Sequence, residues 1–243
     1  MMRSGNPALN ANTFKLGSVS ESEAMTIQGT VNKSAISLLI LLATASWTWG
    51  KAFAGGLPPA LWISVLAAFI VSLIVIFKKE WSPFLVPVYA GLEGIVIGAV
   101  SAVFEIQFPG IVIQAVSLTF GTLFALLFAY KSGLIRPSEN FKLGIVAATG
   151  GIALVYFLDI ILMFFKIRMP FIHESGPLGI AFSLFVVVIA ALNLVLDFDF
   201  IEQGAANRVP KYMEWYGAFG LMITLVWLYL EILRLLAKMR DRR

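Results

Sequence analysis

Long apolar stretches separated by short polar breaks run from about residue 35 to residue 236. Seven of them, at about 35–53, 58–77, 84–104, 108–130, 141–164, 177–199 and 213–236, approach the ~20 residues that a helix needs to cross a ~30 Å hydrocarbon layer. The strict apolar–polar alternation of a membrane barrel is missing, and a helix satisfies its own backbone groups in lipid. The pattern therefore predicts an all-α membrane protein, a seven-transmembrane helix bundle over 35–236. A polar N-terminal tail, 1–34, precedes it and a basic C-terminal tail, 237–243, follows. Prolines and charges fall at the breaks: Pro58-Pro59, Lys78-Lys79-Glu80 with Pro83, Pro109, Lys131 with Pro137, Pro170 with Pro177, and Pro210.

Composition agrees. The chain is 59% hydrophobic and 13% charged, with a mean hydropathy of +0.89. That is about half the charge of an average soluble domain. Cysteine is absent, which removes disulfides, thiolate metal sites and thiol nucleophiles. A single histidine, His173, excludes a multi-histidine metal site, and its neighbour Glu174 makes a solvated loop pair with it. A net charge of +4, spread over short loops and the C-terminal end, does not point to nucleic acid.

Basic residues orient the bundle. Lys33, Lys78, Lys79, Lys131, Arg136, Lys142, Arg208 and Lys211 gather on one side, and Lys51, Lys166, Arg168 and the C-terminal Lys238, Arg240, Arg242 and Arg243 on the other. The internal loops favour a cytoplasmic N-terminus. A basic C-terminal end on the outside fits this less well, and a re-entrant last helix would bring both ends inside.

Ionisable residues within spans are costly and face partners or wet cavities. They are Glu93, Asp159, Asp197, Asp199, Glu214 and Glu231. In the chosen orientation Asp197, Asp199 and Glu214 lie near the inner end, Glu93 near mid-depth, and Asp159 and Glu231 towards the outer end. Residues two apart on a helix are rotated by ~200°, so Asp197 and Asp199 face opposite ways. Asp197 shares a small, polar stripe with Asn193 and Ala190, suited to a helix seam. Asp199 falls with Glu202 and Gln203, at the membrane rim. Arg234 follows Glu231 at the spacing of an ordinary helical ion pair, and Gly94 and Gly98 allow close helix approach.

Two carboxyl groups held close in an apolar site share a proton and titrate as a unit. They can switch a helix contact, or offer oxygen ligands to a hard cation such as Ca²⁺. Asp197 is the acid chosen for both roles, with Glu214 or Glu231 as its partner on the last helix and Glu93 as a neighbour. Asn193, Asp199 and Asp159 are supporting residues. No nucleophile–base–orienter set stands out, so no enzyme and no cofactor is expected.

GLEGIVIGAVS at 91–101, SLTFGTLFALLFAY at 117–130 and NLVLDFDFIEQGA at 193–205 resemble the Bax inhibitor motif family, in particular its bacterial YccA-like branch. The likeness covers about residues 30–236. Its most specific element is an aspartate followed by isoleucine and glycine, here Asp197, Ile201 and Gly204. Where the family has a Leu-Tyr-Leu-Asp segment, this chain has Leu228-Tyr229-Leu230-Glu231, and the family's glycine–proline on the third helix is Gly98-Ala99 here. The resemblance implies a bundle around a central last helix, in the bacterial inner (plasma) membrane. It also implies a pH-sensitive calcium leak in which Asp197 pairs with an acid of the last helix. A second function is implied for some bacterial relatives, a non-transporting regulator that binds a membrane protease or a stress-response partner.

Overall fold

Seven helices account for the apolar stretches among the residues described by this computed structural model, 23–56, 61–166, 169, 172 and 174–242. They are α1 (Ile27–Gly55), α2 (Leu61–Phe77), α3 (Ser82–Gln107), α4 (Ile111–Lys131), α5 (Glu139–Phe164), α6 (Pro177–Ala206) and α7 (Met213–Asp241). A 3₁₀ turn, Lys79–Trp81, leads into α3. The Pro58-Pro59 break, Pro170, Arg168, the His173–Glu174 pair and most of the N-terminal tail involve positions outside the described residues.

Among the described residues six helices are long and apolar enough to cross a membrane, and α2 is a shorter apolar helix of 17 residues. At ~1.5 Å per residue α2 spans about 26 Å, just under the hydrocarbon thickness. The chain is thus a helical membrane bundle of six candidate spans and one shorter helix.

Local chemistry sets the helix ends. Thr26 caps α1, its Oγ1 accepting from the Gly29 amide at 2.9 Å, and Ser138 caps α5 through the Phe141 amide at 3.3 Å. Glu105, near the end of α3, accepts from the amides of Gly110 at 2.6 Å and Val112 at 3.1 Å. The free donors at the start of α4 are thereby satisfied by the preceding helix. Gly110 takes a φ of 80° in this turn, a value glycine reaches without strain. Pro177 opens α6 at a position where a missing amide costs nothing.

Three boundaries differ most from the hydropathy pattern. α1 begins at Ile27 rather than near 35, α6 runs on to Ala206 rather than ending near 199, and α7 runs on to Asp241 rather than ending near 236. The first turns of α1 are polar, yet one face of them packs on the bundle. Thr30 is fully buried, and its side chain abuts Gly217 of α7. The segment just before α1 is tied to the α6–α7 loop, with the Met25 amide on the Val209 carbonyl at 2.7 Å and the Lys211 amide on the Glu23 carbonyl at 2.8 Å.

α7 is the axis. It packs against α1, α3, α4 and α6, and Tyr216, Phe219, Met222, Leu228 and Leu233 along it are almost fully buried. α1 also packs along α3, where the backbones come together at Gly94 and Gly98. A Cβ on Gly94 would collide with Thr44 Oγ1 and the Leu41 carbonyl, and one on Gly98 with the Ala45 carbonyl. α5 sits at the margin against α6, through Ile152, Val186 and Ile189, and α2 leans on α3.

Candidate functional site

The antiparallel pair α6–α7 carries most of the acids at one end of the bundle. Asp197 is on α6 with 0% of its surface exposed, among Leu194, Val195, Leu196 and Ile201, which are also buried. One turn earlier lies Asn193, also buried. Its amide nitrogen donates to Thr149 Oγ1 of α5 and to the Ile189 carbonyl, each at 2.8 Å. Asn193 therefore fastens α6 to α5 and fixes the rotation of the stripe that carries Asp197. Among the described residues no three or more His, Cys, Asp or Glu side chains gather as a metal-holding set.

Glu214 opens α7 and is 1% exposed. Its carboxylate is taken up by α1. Oε1 accepts from the Thr26 amide at 3.0 Å and from Thr26 Oγ1 at 2.9 Å, and Oε2 pairs with Lys33 Nζ at 2.6 Å. An acid at the N-terminus of a helix is favoured by the free amides there, and Gly29 provides the room, since a Cβ at that position would strike the Glu214 carboxylate.

Asp199 turns towards Gln203, as the spacing predicts, with Gln203 Nε2 donating at 2.5 Å. It is more than a rim residue, because Lys142 Nζ of α5 reaches it at 2.7 Å. Lys142 is buried and also approaches Glu139 at 3.5 Å. Glu202 accepts from the Tyr130 hydroxyl of α4. Glu93 shares a side-chain hydrogen bond with Tyr89, one turn back on α3.

Glu231 belongs to the opposite end. It is buried, and it forms the expected pair with Arg234 at 2.9 Å. The Tyr156 hydroxyl of α5 joins both, donating to Glu231 at 2.9 Å and accepting from Arg234 at 2.6 Å. Arg234, Tyr156 and Asp159 line a cavity of about 590 Å³ with Lys238 and Asp241. Lys238, also buried, donates to the Gly179 carbonyl at 3.0 Å and to Ser183 Oγ at 2.9 Å, which ties the end of α7 to the start of α6.

Reading the acids alone misses the residues that hold them: Thr26, Lys33, Lys142 and Tyr156. A signal was present. Lys33 just precedes the first apolar run and Lys142 lies at the start of the fifth, at the depth where Glu214 and Asp199 lie on other helices.

The family model described as Bax inhibitor 1 like matches residues 6–241, nearly the whole chain. The chain belongs to the Bax inhibitor 1 like family. No curated protein matches it. With family and apolar helices taken together, it is an integral, multi-pass membrane protein. In this Bax inhibitor-like bundle the matched region takes in the buried acids and the residues that hold them, from Thr26 to Lys238.

Proposed function

We propose that this protein is a pH-sensitive cation leak, with calcium as the transported ion and Asp197 as its switch. The observation that carries the reading is the full burial of the Asp197 carboxyl group on the α6 seam. A charge there costs several kcal/mol unless water or a partner reaches it, so protonation of Asp197 is coupled to how tightly α6 packs. Oxygen ligands of this kind suit a hard cation in transit.

Glu214 is the α7 acid at the same end of the bundle. To share a proton or a cation with Asp197 it leaves Lys33 and Thr26, so the α1–α7 ion pair is the second half of the switch. Two discrete arrangements, held and released, are what a gate requires. Glu231 stays with Arg234 and Tyr156 at the other end. In this reading α2 completes a seventh crossing, the N-terminus is cytoplasmic, and the bundle sits in a bacterial plasma membrane. The cation is cargo, no cofactor takes part, and no reaction is catalysed.

The test is calcium flux into vesicles holding the full chain, measured from acidic to neutral pH. Flux should vary with pH, and Asp197→Asn should flatten that dependence. Wild-type vesicles silent at every pH end the reading. Silent vesicles together with a partner, a membrane protease for instance, whose response survives Asp197→Asn would favour a non-transporting regulator.

A further inference from the structure

α1 and α4 both pack on α7 but scarcely meet each other. The gap is a crevice of about 770 Å³ at the Lys33 end of the bundle. It leads towards a second chamber of about 340 Å³, and Leu38, Phe120 and Leu225 line both. The walls are apolar along their length, and the mouth is charged.

Four charged side chains line that mouth: Lys131, Arg136, Asp199 and Glu202. The two acids are engaged, Asp199 by Lys142 and Gln203 and Glu202 by Tyr130. Neither cation is ion-paired among the described residues. Deeper in, Ser34 lines the crevice at 7% exposure, and its hydroxyl has no hydrogen-bond partner among the described residues. A buried hydroxyl left without a partner costs about 1–3 kcal/mol, which a ligand acceptor would recover. Ser34 is about 10 Å along α1 from Ile27, below the level of the two cations.

We propose that this crevice binds one anionic phospholipid. The phosphate sits between Lys131 and Arg136, where charge-assisted hydrogen bonds are strong. An ester carbonyl accepts from Ser34, and an acyl chain lies along Leu38, Phe120 and Leu225 towards the second chamber. Two cations without an ion-pair partner among the described residues, at the mouth of an apolar crevice, match a headgroup with acyl chains, and a partner helix is an outcome of the test. This site is independent of the leak reading, since it uses neither Asp197 nor Glu214.

The experiment is native mass spectrometry of the full chain in detergent, titrated with phosphatidylglycerol or phosphatidylcholine of matched chains. At about 1 kcal/mol per basic residue near a lipid headgroup, two cations should give a preference of about thirtyfold for phosphatidylglycerol. The double variant Lys131→Gln/Arg136→Gln should abolish the preference while leaving the protein folded by circular dichroism. Ala35→Trp, which fills the crevice from an exposed position, should reduce retention of both lipids, and Ser34→Ala should weaken retention less. Equal retention of the two lipids by the wild type overturns the proposal. So does undiminished phosphatidylglycerol binding by folded Ala35→Trp, or a protein helix cross-linked through Ala35 in place of lipid.

Discussion

The two ends of the bundle handle buried charge differently. At the Lys33 end opposite charges meet across helices: Lys33 of α1 with Glu214 of α7, and Lys142 of α5 with Asp199 of α6. At the Lys238 end Glu231 meets Arg234 three residues along the same helix, beside a cavity of about 590 Å³ that Lys238, Asp159 and Asp241 also line. A pair across helices can hold only while the helices stay docked. A pair within one helix survives their separation. The first end is therefore fastened by ion pairs across helices, whereas at the second Glu231, Arg234 and Lys238 reach neighbouring helices only through hydrogen bonds to uncharged groups.

Removing one partner of a buried pair leaves the other as an uncompensated charge. Lys33→Met should thus lower stability by about 3–5 kcal/mol, seen as a large drop in Tm in detergent. Adding Glu214→Gln should restore part of it, and a double-mutant cycle without coupling would remove the fastening argument. Arg234→Gln should cost less, about 1–2 kcal/mol. Arg234 is itself 39% exposed, Tyr156 still donates to Glu231, and the cavity can admit water. A loss equal to that of Lys33→Met would erase the contrast between the ends. The smallest effect is expected at Glu202→Gln. Glu202 is exposed although it lies at the fastened end, so its change should stay within about 0.5 kcal/mol. A larger Tm shift there would mean that position, rather than burial, sets the cost.

Hydropathy makes most of the fold legible. Each of the seven predicted spans contains the greater part of one helix, because lipid forces backbone groups to pair within the segment. It fails at the start of α1, where Gln28, Thr30, Asn32 and Lys33 look like a tail. Their helix is stabilised by α7 and by Glu214, which no window on α1 can register. Among the site residues, Asp197 stands out by its neighbours alone, as an acid on a small, polar stripe. The Glu231–Arg234 pair is equally visible, since it is local. Asp199 shows the limit. Its face towards Gln203 follows from helical phase, but Lys142 lies on another helix, and nothing in the order of residues brings them together.

Apolar run length and helical phase, properties of single segments, determine that this chain crosses a membrane as helices. They also determine that Asp197 and Asp199 point apart, and that Gly94 and Gly98 share one face. Only the tertiary structure decides which helix those glycines meet, which cations Glu214 and Asp199 take, and that α7 is the axis while a crevice opens between α1 and α4. The physical reason is range. Hydrophobic burial and backbone pairing act along each helix, whereas the partner of a buried charge is chosen by helices far apart in sequence that reach the same depth.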